Sequence, residues 1–319
     1  MCPEGGGGRA TGGSLVESVP NFSEGRRAEV IDEIVAAFAG AHPDVLVLDR
    51  SSDPDHNRSV LTLAGPGPAL VEAAVSGAAA CARLIDLTRH HGVHPRLGAL
   101  DVLPFVPLDP ATDGVRLALE AGRRLVEQAG IPVYFYGGAA RRPERSELPS
   151  VRGRGFEELA RAARRDPDRA PDLGGPELHP TAGATAVGVR PFLVAYNVNL
   201  AGEDLRLARH IASAVREREG GLPAVRALGF ALERRRMTQV SMNLLDFRVT
   251  SPATAFAAVA ELARRAGVEV VESEIVGLVP QAAVAGVDPL SLKLRGFSRD
   301  QLVEERVRQA LAQRAGPAG

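Results

Sequence analysis

The segment FLVAYNVNLAGEDLRLARHIASAV, residues 192–215, decides the fold. Its first nine residues, 192–200, are rich in β-branched and aromatic side chains and are predicted to form a strand. A helix follows, because one of its faces collects the apolar residues Ala208, Ile211, Ala212 and Val215. Downstream patterns predict strands at 225–232 and 239–249, a helix at 252–265 and a strand at 268–278. The predicted order is therefore β-α-β-β-α-β.

The same order is predicted once more, upstream. Strands are expected at 15–22, 45–49, 59–64 and 99–106, and one helix has an apolar face made of Ile31, Ile34, Val35 and Phe38. A second helix is expected at 68–85. A helix at 113–128 and a strand at 131–137 extend this unit, and residues 138–185 have the composition of a loop with a short helix at 156–164. Residues 287–319 are predicted to form a short strand and a terminal helix.

This duplication predicts a mixed α/β (α+β) chain of two ferredoxin-like β-α-β-β-α-β subdomains. Each subdomain would cover one face of its sheet with its own helices, and a ligand groove would lie between the two uncovered sheets. The predicted boundaries are a disordered tail at 1–14, an N-terminal subdomain at 15–190, a C-terminal subdomain at 191–311 and a frayed tail at 312–319.

Composition restricts the class of partner to small molecules or protein. The chain has 319 residues and a formal net charge of −1, so it has no broad positive field to hold nucleic acid or an anionic membrane nonspecifically. It contains neither an apolar run of roughly 20 residues nor a secretory signal, which predicts a cytoplasmic protein. Lys293 is the only lysine, so Schiff-base chemistry is excluded unless that residue takes part.

The segment RHHGVHPRLGALDV, residues 89–102, holds the densest group of chemically active side chains. A metal site at His90, His91 and His94 is disfavoured, because Gly92 and Pro95 oppose the helix that would place two histidines on one face. His94 between a glycine and a proline suits a positioned general acid or base, since imidazole titrates near neutrality. A histidine that only hydrogen-bonds the backbone is an equally good interpretation from these residues alone.

Two predicted strands carry polar side chains on one face. Asn197 and Asn199 alternate on the first strand, and Gln239, Ser241 and Asn243 alternate on the second. A solvated sheet face explains such alternation most often. Asparagine is depleted in strands, however, so the repeated Asn-x-Asn also favours a ligand-binding face.

Two loop segments remain ambiguous. The segment DLGGPELHPTAGATA at 172–186 contains Gly174, Gly175 and Gly183, which allow close backbone approach to a ligand. A loop of this length is usually functional or disordered. The arginine-rich run at 141–154 lacks interleaved aromatic residues, so it is interpreted as a solvated surface.

Six motifs together resemble the glutamate formimidoyltransferase family. They are SVPNFSEGRR (18–27), DHNRSVLTLAGP (55–66), RLIDLTRHHGVHPRLGALDVLPFVPL (83–108), PVYFYGGAA (132–140), HPTAGATAVGVRPFLVAYNVNL (179–200) and QVSMNLLDFRVT (239–250). Their order is that of the family, and they span most of the chain.

The resemblance implies transfer of a formimidoyl group from N-formimidoyl-L-glutamate to N5 of tetrahydrofolate, a step of histidine degradation and one-carbon metabolism. Tetrahydrofolate would be a co-substrate, and no metal would be needed. The family's catalytic histidine maps onto His94. Its folate-binding loop maps onto the ten residues Gly174, Gly175, Pro176, Glu177, Leu178, His179, Pro180, Thr181, Ala182 and Gly183.

The donor's carboxylates need cationic partners. Arg58, Arg96 and Arg190 are candidates because each lies inside a matched motif. The polar strand residues Asn197, Asn199 and Asn243 are added to the predicted substrate site. By analogy with the family, we expect a homodimer and a separate downstream cyclodeaminase.

Two positions depart from the family pattern. Ser51 stands where relatives often have an acidic residue, so Asp53 or Asp55 would have to orient His94 if a carboxylate does so. Ala182 replaces an aromatic residue of some relatives, which removes a possible stacking surface for the pterin. The alternatives are formyl transfer between glutamate and tetrahydrofolate, a noncatalytic folate-binding protein, and a metal-dependent hydrolase of formimidoylglutamate.

Overall fold

The chain forms two compact units, Met1–Arg190 and Pro191–Gly319. The computed structural model describes residues 15–92, 95–109, 111–153 and 155–315. The tail predicted at 1–14, residues 316–319 and the predicted catalytic residue His94 lie outside this part of the chain. No helix in the described ranges combines the length and the apolar character needed to cross a membrane.

The first unit is a mixed sheet covered by helices. Its strands are β1 (Leu15–Ser18), β2 (Asn21–Phe22), β3 (Leu46–Asp53), β4 (Arg58–Pro66), β5 (Leu100–Pro107), β6 (Val133–Gly137) and β7 (Thr185–Val189). Its helices are α1 (Ala28–Gly40), α2 (Gly67–Leu84), α3 (Gly114–Ala129), α4 (Leu148–Arg152) and α5 (Phe156–Ala163).

The short strands β1 and β2 both lie between β4 and β5, so they act as two halves of one interrupted strand. The interruption contains Pro20, which has no N–H to donate to a ladder. Beyond β5 the sheet continues with β7 and then β6, both in parallel pairings. The edge strand β3 pairs with β4 alone.

Helices α1, α2 and α3 pack side by side and contribute to the core of the first unit. The apolar faces predicted from sequence point inward: Ile34 and Phe38 of α1 are fully buried, and Phe105 and Phe135 of the sheet belong to the same core cluster. Cys81 of α2 is also fully buried, and burial raises the pKa of its thiol. Cys81 is therefore packed as a small apolar residue.

The second unit has the predicted order β-α-β-β-α-β. Its elements are β8 (Val194–Ala201), α6 (Leu205–Val215), β9 (Val225–Leu232), β10 (Met237–Leu244), α7 (Pro252–Arg265) and β11 (Val270–Val276), followed by α8 (Val303–Ala315). The four strands are antiparallel in the order β11-β8-β10-β9. Tyr196, Val198 and Leu200 of β8 are fully buried on one face. The prediction of a mixed α/β fold with two sheets is confirmed.

Several local predictions were wrong. Strand β7 lies between the loop predicted at 138–185 and the strand predicted at 192–200, and it was missed because its TAVGV sequence is short and follows a Gly- and Pro-rich segment. The hairpin β3–β4 keeps its pairing through Asp53, four residues beyond the predicted end of the first strand at 49. Polar residues are tolerated there because β3 is an edge strand. No strand occurs in 287–315, where Leu294 makes only an isolated bridge to Ser273.

The arginine-rich run 141–154 is not simply a solvated surface, as had been predicted. Arg145 is only 6% exposed, and its Nη1 lies 2.8 Å from Oδ1 of Asp172. Arg152 is similarly enclosed and contacts Asp101. Both arginines are buried because carboxylates from distant parts of the sequence neutralise them, and the local sequence does not reveal those partners.

Candidate functional site

The predicted folate-binding loop at 174–183, the glycine-rich loop, is hydrogen-bonded by its last residues to the chain before and within the histidine motif at 89–102. The N–H of Leu87 donates to the carbonyl oxygen of Thr181 at 2.8 Å, and the N–H of Ala99 donates to that of Ala182, also at 2.8 Å. The N–H of Ala184 donates to the carbonyl oxygen of Leu97 at 3.1 Å. These three bonds fix the end of the loop against residues 87–99, which include His94.

Glycine is required at the centre of this junction. Gly183 has φ +71°, and a Cβ atom added there would lie 2.2 Å from the carbonyl oxygen of Leu97. The closeness of the two backbones explains the isolated bridge between Gly98 and Gly183. The approach seen at Gly183 is to another part of the chain, and the close approach to a ligand expected from the pattern at 172–186 stays a prediction.

The loop divides into an exposed half and an anchored half. Gly174 to Glu177 are exposed. Leu178 and Ala182 are buried, and Nδ1 of His179 accepts hydrogen bonds from the N–H groups of Thr181 and Ala182, at 3.3 and 3.0 Å. Because the methyl group of Ala182 belongs to the core, position 182 does not present a side chain at the surface.

Asn57 holds the histidine motif on its other side. Its Oδ1 accepts a hydrogen bond from the N–H of Gly25, and its Nδ2 donates to the carbonyl oxygen of His91. Nε2 of His90 lies 2.9 Å from the carbonyl oxygen of Asn57. Partial burial lowers the pKa of His90, which favours its neutral form. His90 thus contacts the backbone through its imidazole, and His91 contacts Asn57 through its own carbonyl oxygen, whereas His94 lies outside the described residues.

An open cavity of about 370 Å³ adjoins these residues. Its lining includes Glu24, Arg26, Asn57, Arg89 and His90. Glu24 is buried, which by itself raises its pKa, but hydrogen bonds from the N–H groups of Arg27 and Arg26 lower the pKa below its ordinary value. Glu24 is therefore a carboxylate at neutral pH, and the cavity combines that charge with cationic side chains at its edge.

Asp101 is the centre of a second charged group. Its Oδ1 accepts hydrogen bonds from the N–H groups of Leu97 and Gly98, and its Oδ2 accepts one from Nη2 of Arg152 at 2.7 Å. Asp101 also attracts Arg58, whose Nη2 donates to Oδ1 of Asn21. The predicted site residue Arg58 therefore lies beside two residues that the sequence did not single out, Asp101 and Arg152.

Arg96 already has several partners. Its Nη2 donates to the carbonyl oxygens of Leu87 and His90, at 3.0 and 3.3 Å, and pairs with Oε1 of Glu157 at 2.6 Å. These contacts tie the two sides of the histidine motif to α5. Its predicted role in binding a donor carboxylate stays a prediction.

Arg190 follows β7 and interacts electrostatically with Glu17 and Tyr136. Glu17 lies on β1 opposite Ala64 and Val106, and it is 3% exposed. Burial raises the pKa of Glu17 to about 7, although the charge of Arg190 acts in the opposite direction. No sequence pattern indicated Glu17, because a single polar residue in a short strand is common.

The acidic residues near Ser51 have their own local contacts. Oδ2 of Asp53 lies 2.8 Å from Nδ1 of His56, and its Oδ1 accepts the N–H groups of Asp55 and His56. The hydrogen bond from the backbone of His56 is the largest of the effects that lower the pKa of Asp53. Orientation of His94 by Asp53 or Asp55 stays a prediction.

In the second unit, the polar residues form rows across the sheet. One row is Phe230, Gln239, Asn199 and Glu272, and the next is Leu228, Ser241, Asn197 and Glu274. Nδ2 of Asn199 donates to Glu272 at 2.8 Å, and Nδ2 of Asn197 donates to Glu274 at 3.0 Å. Asn243 is exposed in a third row with Arg226, Ala195 and Val276. We call this surface the polar sheet face.

The fold and the site describe a two-subdomain α/β protein that combines a glycine-rich loop, a histidine motif and buried arginines. Comparison with known proteins identifies the family. Residues 15–190 match the family described as "Formiminotransferase domain, N-terminal subdomain", and residues 195–303 match "Formiminotransferase domain". The chain therefore belongs to the formiminotransferase family.

Two relatives match the chain over nearly their whole length. It is 44% identical to glutamate formimidoyltransferase from Thermoplasma acidophilum, over 93% of this chain and 98% of the relative. It is 42% identical to glutamate formimidoyltransferase from Streptococcus pyogenes, over 91% of this chain and 97% of the relative. The formimidoyltransferase-cyclodeaminase of Sus scrofa is 44% identical over 85% of this chain, which corresponds to 51% of that protein.

Proposed function

We propose that this chain transfers the formimidoyl group from N-formimidoyl-L-glutamate to N5 of tetrahydrofolate, giving 5-formimidoyltetrahydrofolate and L-glutamate. The observation that carries this proposal is the 44% identity to a glutamate formimidoyltransferase over 93% of the chain. The hydrogen bonds that join the glycine-rich loop to the histidine motif support it, because the two predicted functional segments meet within one unit.

His94 is proposed as the general base and then the general acid. N5 of tetrahydrofolate attacks the amidine carbon, so a bond forms between N5 and that carbon while N5 loses a proton. The bond between the carbon and the glutamate nitrogen then breaks, and that nitrogen needs a proton. One imidazole can accept the first proton and deliver the second, a contribution of about 10²–10⁴ in rate.

The remaining site residues have binding roles in this proposal. Residues 174–183 hold the folate, and Arg58, Arg96 and Arg190 supply cations for the donor's carboxylates. Asn197, Asn199 and Asn243 contribute amide groups from the polar sheet face. We also propose that both subdomains are ferredoxin-like and that the protein is a cytoplasmic homodimer whose product is consumed by a separate cyclodeaminase.

The test is a direct assay of the reaction. Purified protein is incubated with N-formimidoyl-L-glutamate and tetrahydrofolate, and the product is converted in acid to the absorbing methenyl form. We expect product from the wild type and a loss of about 10²-fold or more in His94→Ala. His91→Ala is the matched control, because His91 is a neighbouring exposed histidine of the same motif.

The formyl alternative is tested in the same assay. N-formyl-L-glutamate is offered with tetrahydrofolate, alone and in competition with the formimidoyl donor. We expect faster transfer from the formimidoyl compound. Transfer from the formyl compound but not from the formimidoyl compound would refute the proposed donor. Folate binding without transfer from either compound would indicate a noncatalytic protein.

A further inference from the structure

The charged group around Asp101 brings two arginines, Arg58 and Arg152, close together. Asp101 attracts Arg58, while Arg152 repels Arg58. Tyr136, buried nearby, interacts with Arg152, Asp101 and also Arg190. Cations that are held close together in a partly buried region repel each other more strongly than they would in water. An additional anion at this place would therefore be stabilised.

The carboxylate of Asp101 is already occupied. Its oxygens accept two backbone N–H groups, from Leu97 and Gly98, as well as Nη2 of Arg152. Nη2 of Arg58 donates to a neutral amide, that of Asn21. Asp101 fixes the backbone at 97–98 and also holds Arg152.

Arg152 also has an unused donor. Within the ranges that the structure describes, the buried Nε–H of Arg152 has no hydrogen-bond acceptor. A buried donor without an acceptor is costly, and such a group in a native protein calls for an explanation, such as a bound ion or a functional role. The side chain retains 12% exposure, so Arg152 is not fully enclosed by the protein.

The position of this group is the third observation. Gly98, whose N–H is bound by Asp101, is bridged to Gly183 at the end of the glycine-rich loop. An anion bound by Arg58 and Arg152 would therefore lie close to the junction of the loop and the histidine motif. In the proposed reaction the donor's glutamyl portion is the anionic part that must be held near this junction.

We infer that Arg152, together with Arg58, binds a carboxylate of the donor's glutamyl portion and selects for glutamate over uncharged analogues. This inference rests on the proposed function. Arginine suits the role because its planar guanidinium can engage a carboxylate through two parallel hydrogen bonds. One edge of Arg152 holds Asp101, and its remaining donors serve the ligand.

The experiment measures binding rather than turnover, so it does not depend on activity. L-glutamate, L-glutamine and L-isoglutamine are titrated into the full chain by calorimetry in the presence of tetrahydrofolate. Glutamine lacks the charge of the side-chain carboxylate, and isoglutamine lacks that of the α-carboxylate. We expect wild type to prefer glutamate over one of the two amides by about 10- to 100-fold, the range of a charged hydrogen bond.

In Arg152→Gln we expect this preference to fall to within about threefold, while binding of that same amide changes little. Arg152→Lys keeps the charge and should retain part of the preference. Arg145→Gln is the matched control, because Arg145 forms the other buried arginine–carboxylate pair of this segment. If Arg152→Gln does not fold, Arg58→Gln takes its place. This variant removes the neighbouring cation, and the same loss of preference is expected.

Two outcomes would overturn the inference. In the first, Arg152→Gln weakens the binding of all three ligands equally, which is the effect expected of Arg145→Gln if that variant only disturbs the fold. In the second, wild type binds the three ligands with equal affinity. Failure of the proposed function looks different, because the transfer assay would then give no product whatever the binding preference. A wild type that transfers the group without preferring glutamate would reject this inference alone.

Discussion

Glu17 is a buried acid in a part of the sheet where no sequence pattern indicated one. Its carboxyl group is held among β1, β4 and β5, and burial raises its pKa to about 7 from the ordinary 4.5. The folded protein therefore holds this proton more tightly than the unfolded chain does. The stability that results is complete below about pH 4.5 and is lost as pH rises through about 7.

Replacing Glu17 by glutamine should remove this pH dependence. As the pH rises from 5 to 8, we expect the free energy of unfolding of Glu17→Gln to increase by about 1–3 kcal/mol relative to that of wild type. Urea unfolding at the two pH values measures the difference. Glu24→Gln is the control: because the pKa of Glu24 is lowered, its charged form already stabilises the fold above pH 4.5, so this variant should lose stability equally at both pH values. An equal offset between Glu17→Gln and wild type at both pH values would contradict the expectation.

Single residues show where sequence reasoning succeeds and where it stops. Gly183 was recognised because positive φ and close backbone contact select glycine. Arg152 was assigned to a solvated surface because the burial of an arginine depends on a partner, Asp101, that lies 51 positions away. Ala182 was discussed as a lost stacking surface, yet its methyl group faces the core. Local composition does not indicate which way a loop residue points.

At the scale of elements, the glycine-rich loop is fixed mainly by its last residues. Thr181, Ala182 and Ala184 supply the hydrogen bonds to residues 87–99, and Thr185 begins β7 with its Oγ1 donating to the carbonyl oxygen of Leu100 at 2.8 Å. The helices and most strands were predictable from periodicity. Strand β7 was not, because it is a short parallel strand buried on both sides, which has no polar–apolar alternation.

Substitution of Gly183 by alanine should break this junction. Gly130 provides the control, since it has nearly the same φ, +67° against +71°, but no atom lies within 4 Å of the position of an added Cβ. Gly130→Ala should cost about 1–2 kcal/mol for the left-handed backbone alone. Gly183→Ala should cost more, because the new Cβ meets the carbonyl oxygen of Leu97, and it should also weaken tetrahydrofolate binding.

Urea unfolding and calorimetric titration of tetrahydrofolate compare the two variants. Equal losses of stability would show that the close approach of Gly183 to Leu97 is unimportant. Unchanged folate affinity in a folded Gly183→Ala protein would argue against a binding role for this loop.

At the scale of the whole molecule, the two units present different chemistry. The first contains the loop, the histidine motif and the buried arginines, and the second contributes the rows of Asn, Gln and Glu side chains on the polar sheet face. The duplication of strand and helix order was visible in the sequence because it depends on periodicity alone. The additional parallel strands β6 and β7 make the first sheet larger than a simple duplication predicts.

The role of the polar sheet face can be tested with fluorescence, because the chain contains no tryptophan. Phe230 is 46% exposed and lies in the same row as Gln239 and Asn199. If this face contacts substrate, tetrahydrofolate together with L-glutamate should shield the new indole of Phe230→Trp from acrylamide, and the quenching constant should fall. Leu290→Trp, at a site that is 83% exposed and outside the sheet, should show no change and corrects for absorption by the folate. Equal quenching of Phe230→Trp with and without ligands, in a protein that still transfers the formimidoyl group, would remove Asn199 and its row from the proposed site.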